Sequence, residues 1–503
     1  MLIYKSFDVP NGLMGSFNSI WGQYHFLYTH KNIFKSGLIA YTRKHDAKGA
    51  KMTVDSSVFK AYDVRGVYPD QIDEELAYLV GRAMVQFLGC KNVVVGMDMR
   101  KSSASLFRSL SRGITDQGAD VLDIGMVPTP IVSFAVAHYK HEAGIVISAS
   151  HNPGNYNAFK LIRYPVLQIG SGSGMEEIKD IIIKNKFIKV RSKGKIIKKK
   201  PLGDYIKHVL SYGKSIKGLK VVCDYGNGMG ALSAKPLLDK LDVEAIHMYP
   251  EPDGSFPNHP ANPHDIKNMD DLRKRVVEEK ADLGVFFDGD ADRSVIIDDK
   301  GEIVFADIYI ALVAAPELEK HPGEKVYFDL RFSKIAGETI KGKGGVPKIM
   351  RVGNPFYKEA LVKEGGVLAG EFSGHVMFKD NYCIDDGLFA AVKIMSLLSK
   401  SGKKLSALVK PLKVYYNTPE INIGISSTED GDRILKAVEG NFRKEKGVKV
   451  LHIDGVSVEG NGWWFNLRKS NTEPLVRLRV EAKEKKKMDE IKEKVINTIE
   501  GQK

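Results

Sequence analysis

Residues 144–161 read GIVISASHNPGNYNAFKL, and this stretch decides the fold. Its start is apolar and β-branched, the composition of a short strand buried on both faces. The run ends in Ser-His-Asn-Pro, a turn with the Ser150 hydroxyl at its front edge, and Lys160 follows beyond it. Upstream, VVVGMD (93–98) and ADVLDIG (119–125) have the same character. The helical segments DEELAYLVGRAMVQFLG and SASLFRSLSRGITDQG interleave with them. Strands alternating with helices imply a parallel sheet covered on both faces.

The pattern recurs twice. GLKVVCDYGNGMGA (218–231) begins a second unit that ends at ADLGVFFDGDADR (281–293), and EKVYFDLRFS (324–333) begins a third that runs through GGVLAGEFSGH. GNGMG (226–230) has the wrong final spacing for a dinucleotide fingerprint and reads as a tight strand-to-helix turn. After about Leu412 come VYYNTPEINIGI, a helix, WWFNLRKSNTEP and LVRLRVEA, the grammar of a smaller α+β domain with an antiparallel sheet. The expected fold is therefore α/β in four domains: three similar α/β units with mixed or parallel sheets, then a C-terminal α+β domain. The boundaries read as 55–200, 201–303, 304–412 and 413–500, with residues 1–54 an extension outside the core.

A chain of 503 residues is too long for one hydrophobic core. Hydrophobic residues make up 43% and charged residues 27%, an ordinary globular balance. No stretch is apolar enough for a bilayer, so no membrane partner is expected. The net charge of +13 raises nucleic acid as a partner, but the basic residues are scattered. The dense run KNKFIKVRSKGKIIKKK (184–200) lacks aromatic interleaving and reads as a solvated edge or linker. Small anionic substrates account for the charge equally well, and no nucleic-acid partner is expected. Cys90, Cys223 and Cys383 are too far apart for a zinc motif and suggest no disulfide framework, which fits a reducing, cytoplasmic compartment. The first fifty residues are aromatic, poor in acids and poor in arginine, unlike the rest. Met52 precedes a plausible domain start, MTVDSSVFKAYDVRG, so the expectation is a wrongly chosen upstream start codon rather than a transit peptide.

Four constellations carry chemistry. In DGDADR, Asp288, Asp290 and Asp292 fall at alternate positions directly after an apolar strand, so their carboxylates converge. Such a triplet requires a cation, and hard oxygen donors with open positions suit Mg²⁺. An EF-hand loop is excluded by Arg293 at position six and Asp299 at position twelve. GEFSGH puts Glu371, Ser373 and His375 on one face, a set suited to sugar hydroxyls or to a plain polar loop. RKSNTEPLVR gathers Arg468, Ser470, Asn471 and Thr472 in a turn with Arg477 returning, the donors a phosphate dianion needs. AYDVRG (61–66) offers Tyr62 and Arg65. Ser150, taken alone, is as readily a helix N-cap as a functional hydroxyl.

The ordered set AYDVRG, SASHNP, DGDADR, GEFSGH and RKSNTEP resembles the α-D-phosphohexomutases of the phosphomannomutase/phosphoglucomutase group, across about residues 55 to 500. The resemblance implies a phosphoryl group on Ser150 that completes a Mg²⁺ site with Asp288, Asp290 and Asp292. It implies interconversion of hexose 1-phosphate and hexose 6-phosphate, of mannose, glucose or both, through a bound hexose 1,6-bisphosphate that also serves as activator. Arg65, Lys160 and Arg293 are then candidates for stabilising charge, and His151 and His375 for proton transfer or hydroxyl contacts. Tyr62, Glu371, Ser373 and His375 would contact the sugar, and Arg468, Ser470, Asn471, Thr472 and Arg477 the phosphate that is not reacting.

Two positions depart from the family pattern: Asn354–Pro355 where Gly-His-Ser is common, and Ala158 where glycine is common. The first leaves the preferred sugar open. Phosphoglucosamine mutase is the alternative within the class, although NYNAFKL fits the hexose group better. A metal-dependent phosphosugar hydrolase and a non-catalytic phosphosugar-binding protein are the alternatives outside it. Neither a monomer nor a homo-oligomer is favoured.

Overall fold

The structure, a computed structural model, describes residues 54–470 and 474–502. The reading of the N-terminal extension therefore lies outside the described residues, as do Asn471 and Thr472. The sequence folds into four sheets in chain order.

The first sheet contains β1 (Val64–Val67), β2 (Asn92–Met97), β3 (Asp120–Met126), β4 (Ala143–Ile147), β5 (Tyr156–Arg163), β6 (Leu167–Gln168) and β7 (Ile196–Lys198). Its order is β1-β5-β4-β2-β3-β7, with β6 beside β5. Strands β3, β2 and β4 are parallel, and β5 returns antiparallel to β4. Every residue of β4 is buried, as the apolar run predicts. Gly144 and Gly96 permit this, because a Cβ at either would lie 2.6 Å from a valine of the helix Thr129–His138 packed on the sheet. The helix Glu74–Leu88 forms where local signals agree. Asp73 caps it, accepting from the Leu76 amide at 2.8 Å; Glu74 and Glu75 fill the first turn, and Gly89 closes it at φ 63°. The basic run ends in β7, an exposed edge strand, so its solvated-edge reading holds.

The second sheet contains β8 (Lys217–Asp224), β9 (Asp242–Met248), β10 (Leu283–Phe287), β11 (Ser294–Asp298) and β12 (Ile303–Val304), in the order β12-β11-β10-β8-β9. The third contains β13 (Lys325–Asp329), β14 (Val346–Met350), β15 (Leu368–Gly370) and β16 (Val376–Phe378), in the order β14-β13-β15-β16. All three sheets share one plan. Three parallel strands run second-first-third, and a fourth turns back antiparallel on the third. The last sheet is antiparallel, with β17 (Tyr416–Asn417), β18 (Ile421–Gly424), β19 (Lys449–Leu451), β20 (Val456–Gly460), β21 (Trp463–Lys469) and β22 (Leu475–Ala482).

One apolar core runs from the first unit through the second and third, from Phe134 to Phe287 and Phe389. The last sheet has its own, built on Phe442, Phe465, Leu478 and Ile491. All three cysteines are buried free thiols. Among the described residues, no helix is long and apolar enough to cross a membrane.

Candidate active site

The shared strand plan positions the site. In each of the first three units, the polar turn joins the third parallel strand to the antiparallel fourth. Ser150 lies between β4 and β5, the aspartates between β10 and β11, and Glu371–Ser373–His375 between β15 and β16. This is the carboxyl end of a parallel sheet, where α/β proteins assemble their sites.

The turns meet tightly. Gly289 approaches the serine turn so closely that a Cβ there would lie 2.4 Å from the Ser150 carbonyl oxygen. Arg293 and His375 form an isolated antiparallel bridge between the second and third units. Ser150 itself has φ 52°, a left-handed conformation uncommon for a side chain with a Cβ. Its side chain is buried; Oγ donates to Asp288 Oδ2 at 2.8 Å and accepts from Arg293 Nη2 at 2.9 Å.

Arg100 holds the serine turn in this shape, and the sequence reading missed it. Its guanidinium donates to four backbone carbonyls: Pro153 and Tyr156 from Nη1, at 2.6 and 3.0 Å, and Ser150 and Asn152 from Nη2, at 2.8 and 2.6 Å. Nε donates to the buried Asp98 at 3.0 Å. The available signal was Asp-x-Arg directly after a strand, which recurs as Asp329-Leu-Arg331.

Asp288, Asp290 and Asp292 are all buried, and a carboxylate oxygen of each lies within 4.8 Å of the others. Arg293 donates to Asp288 from Nε at 2.9 Å and from Nη2 at 2.6 Å. Lys160 bridges Asp290 and Asp292 at 2.6 and 2.7 Å, and Thr129, also missed, donates to Asp290. Burial, then Asp292 and Asp290, push the Asp288 carboxyl up to about 7 against the pull of Arg293. Burial also raises Asp292, but Lys160, His375 and Arg293 outweigh it and hold that carboxyl well below its ordinary value. Among the described residues, Asp290 Oδ1 and Asp292 Oδ1 are buried without a hydrogen-bond partner, although Arg293 Nε and His375 Nε2 each stand 3.5 Å from the latter. Carboxylate oxygens without a hydrogen-bond donor, beside a serine hydroxyl, fit a hard divalent cation.

His151 Nδ1 faces Arg293 Nη2 at 2.5 Å and so accepts. Burial, Arg293 and the neighbouring His264 hold this imidazole far below its usual pKa, in the neutral form. Arg65 reaches the serine turn from β1, donating to Asn152 Oδ1 at 2.5 Å and to Asp63. His375 ties the third unit in. Its Nδ1 lies 3.0 Å from Glu371 Oε2 and its Nε2 3.5 Å from Asp292 Oδ1. Burial lowers the His375 pKa, but the two carboxylates overcome this and raise it to about 9. Ser373 donates to Glu371 at 2.8 Å, and the Gly353 amide donates to the other Glu371 oxygen at 3.2 Å. Tyr62 is half-buried, and its hydroxyl lies against Gly353. Asn354, at the departure from the family pattern, donates to Asp385 at 2.6 Å.

Arg468 and Arg477 face each other across β21 and β22 and converge on Glu420, at 2.9 and 3.5 Å. Arg331, from the third unit, reaches the same carboxylate at 3.5 Å while paired bidentately with Asp329. Its other amino group lies 4.0 Å from Glu371, so it links the two halves of the site. Ser470 lies at the end of this arginine pair, its amide donating to the Leu475 carbonyl at 2.9 Å. A cleft of about 970 Å³ is lined by His264, Ser373, Arg331, Glu420, Arg477 and Arg479, among others.

Fold and site define a class: a four-unit α/β protein with a buried serine beside a carboxylate triplet that could hold a metal ion, and with a cleft lined in part by arginines. Comparison with known proteins gives the family. The models of phosphoglucomutase/phosphomannomutase α/β/α domains I, II and III match residues 56–189, 203–301 and 306–415. That of the C-terminal domain matches 420–498. The chain belongs to the phosphoglucomutase/phosphomannomutase family. It is 37% identical over 445 residues to a phosphomannomutase of Vibrio cholerae, covering 85% of this chain and 94% of that one. It is 34% identical over 445 residues to a phosphomannomutase/phosphoglucomutase of Pseudomonas aeruginosa, covering 88% and 95%. The crystal structure of a phosphoglucomutase/phosphomannomutase family protein from Burkholderia thailandensis superposes with a TM-score of 0.82 at 31% identity, covering 90% and 98%.

Proposed function

We propose that the protein interconverts hexose 1-phosphate and hexose 6-phosphate through a phosphorylated Ser150. The observation that carries this reading is the Ser150 hydroxyl, buried between Asp288 at 2.8 Å and Arg293 at 2.9 Å beside the carboxylate triplet. A structural N-cap serine needs neither neighbour.

The phosphoryl group on Ser150 passes to the free hydroxyl of the bound hexose monophosphate. The sugar oxygen–phosphorus bond forms as the Ser150 Oγ–phosphorus bond breaks, and Oγ gains the proton that the sugar hydroxyl loses. Arg293, donating to Oγ, stabilises charge on the leaving oxygen. Lys160 and Arg65 supply further positive charge around the turn, and Arg100 holds the reacting oxygen in position through the backbone. The resulting hexose 1,6-bisphosphate turns end for end and returns its other phosphate to Ser150; added bisphosphate therefore activates. Asp288, Asp290, Asp292 and Ser150 are the ligands we assign to Mg²⁺. When bound, the ion supplies charge withdrawal from the transferring group. Glu371, Ser373, His375 and Tyr62 are assigned to the sugar, His151 to hydroxyl contacts, and Arg468, Ser470, Asn471, Thr472 and Arg477 to the distal phosphate. With His151 held neutral and accepting from Arg293, it is a hydrogen-bond partner rather than an acid.

The four parts of this mechanism are assigned to domains at 55–200, 201–303, 304–412 and 413–500. The substrate partner is a small phosphosugar, and the buried free thiols support a cytoplasmic setting. Mannose and glucose phosphates are both expected as substrates. The test is turnover of glucose 1-phosphate and mannose 1-phosphate with Mg²⁺, with and without trace hexose 1,6-bisphosphate, alongside peptide mapping of the phosphate. Isomerisation stimulated by bisphosphate, with the phosphate on Ser150, is expected. Release of inorganic phosphate without isomerisation overturns the reading in favour of a hydrolase.

A further inference from the structure

The loop that carries the carboxylate triplet is pinned at three successive carbonyls. Gly289 accepts from the Met229 amide at 2.9 Å, Asp290 from the Thr129 amide at 3.0 Å, and Ala291 from the Gly387 amide at 3.2 Å. Met229 belongs to the loop's own unit, Thr129 to the first and Gly387 to the third. Thr129 opens the buried helix Thr129–His138, so its amide is among the donors that a helix start leaves without an intrahelical acceptor. Of the three residues, only Thr129 has a side chain that can donate, and it donates to the triplet itself. Its hydroxyl, on a residue 4% exposed, bonds to Asp290 Oδ2 at 2.5 Å.

The donors around the triplet fall on particular oxygens. Lys160 Nζ shares Asp290 Oδ2 with Thr129, at 2.6 Å, and also donates to Asp292 Oδ2 at 2.7 Å. Asp288 accepts on both oxygens, from Ser150 and Arg293. Among the described residues Asp290 Oδ1 has no donor, and Arg293 Nε and His375 Nε2 stay 3.5 Å from Asp292 Oδ1. A carboxylate with one oxygen taken by two donors turns the other outward for a cation. Lys160 is divided between two carboxylates, and a single donor leaves the Asp290 carboxylate free to turn about it. The Thr129 hydroxyl supplies the second point. We propose that Thr129 is a positioning residue of the cation site: with Lys160 it holds Asp290 Oδ2, so that Asp290 Oδ1 is the oxygen offered to the ion.

This rests on the cation site assigned within the mutase reading and extends it. Thr129 and Lys160 belong to the first unit, as Ser150 does, whereas Asp290 belongs to the second. The unit that carries the reacting hydroxyl therefore orients a carboxylate of the neighbouring unit. The direction of Asp290 Oδ1 is fixed relative to Ser150 before any ligand arrives, which is the preorganisation that phosphoryl transfer demands.

Thr129→Val keeps the shape of the side chain and removes the donor; Thr129→Ser restores the donor. Titration calorimetry of the full chain with Mg²⁺, without sugar, is expected to show affinity about tenfold or more weaker in Thr129→Val. In Thr129→Ser it should stay within about threefold of wild type. In steady-state assays of Thr129→Val, kcat should fall at low Mg²⁺ and recover at high Mg²⁺, with KM for glucose 1-phosphate unchanged. Wild-type Mg²⁺ affinity in Thr129→Val, a serine variant no better than valine, or a kcat that added Mg²⁺ does not restore overturns the proposal. A crystal of the wild-type protein with Mn²⁺, located by its anomalous scattering, gives a test independent of any variant's folding. The ion is expected on Asp290 Oδ1 with Oδ2 still bonded to Thr129; an ion on Oδ2 refutes the assignment. Failure of the wild type to isomerise hexose phosphates defeats the mutase reading, whereas Mg²⁺ binding tests Thr129 without any turnover.

Discussion

Replacing Arg100 separates the shape of the serine turn from the chemistry performed on it. The guanidinium spans four carbonyls between Ser150 and Tyr156 at 2.6 to 3.0 Å and neutralises the buried Asp98. Arg100→Met leaves Asp98 buried and unpaired, a loss of about 3–5 kcal/mol for one partner of a buried pair. Arg100→Lys keeps a cation beside Asp98, so most of that stability is retained. An ammonium has three donors on one atom, however, against the planar five-donor fork of arginine, and cannot reach all four carbonyls. The turn then relaxes from the left-handed Ser150 conformation, and Oγ moves relative to Asp288 and Arg293. A displacement near 1 Å costs about 100-fold in rate. The expected result for Arg100→Lys is kcat reduced about 100-fold, KM changed by less than about threefold, and a small drop in melting temperature. Intact mass should show lower phosphate occupancy at Ser150, since the same geometry governs its phosphorylation. Thermal unfolding, steady-state kinetics and mass spectrometry on both variants make the test. Arg100→Lys with wild-type kcat, or Arg100→Met with wild-type stability, refutes the reasoning.

Asp290→Asn removes an oxygen from the site proposed for Mg²⁺ and the charged partner of Lys160 and Thr129; Mg²⁺ activation should require at least about 100-fold more ion, and unaltered Mg²⁺ dependence contradicts the proposed site. His259 sits 3.1 Å from the buried Asp224; burial lowers its pKa, but Asp224 overcomes this and raises it above the ordinary value. The stability from this pair is fully present below about pH 6.5 and lost as pH rises through the raised value, so His259→Gln should destabilise more at pH 6 than at pH 9 in thermal melts. Asn354→Ala deletes the donor to Asp385 and should cost about 1.5–3 kcal/mol, read from chemical denaturation; an unchanged midpoint rules out a structural role for that bond.

The parts of the site legible in the sequence are those that local pattern dictates. A buried strand followed by a polar turn marks Ser150 and the aspartates, because strand burial and the alternation of side chains fix where such residues point. Lys160, on the strand that returns from the serine turn, was assigned through the family resemblance rather than from the strand pattern. Arg100 was not legible, since its partners are backbone carbonyls, which every residue carries. Glu420 was hidden because its value depends on Arg331, which is remote in sequence and belongs to another unit. Arg468 and Arg477 were recognised as a pair, but no local spacing encodes that both meet Glu420. The Glu371 motif was readable as a sugar loop or a plain polar loop. In the structure its residues bond chiefly to one another and, through His375, to Asp292.

The three α/β units repeat more than their strand order. Each ends or immediately follows its first parallel strand with an aspartate: Asp98, Asp224 and Asp329. Each accepts from the backbone amide two residues on, at 3.1, 2.9 and 2.9 Å, closing the same small turn. What differs is the cation each acquires. Asp98 pairs with Arg100, which is turned toward the serine loop; Asp224 pairs with His259, on a loop of its own unit; Asp329 pairs with Arg331, which reaches the fourth unit. A buried carboxylate needs a counter-charge wherever the strand ends. The counter-charge carries further donors that must be satisfied in turn. One structural requirement, met three ways, thus shapes the serine turn in the first unit and the arginine cluster in the third. Division of labour among similar units arises from the partner of a single repeated aspartate, while the strands that position it stay alike.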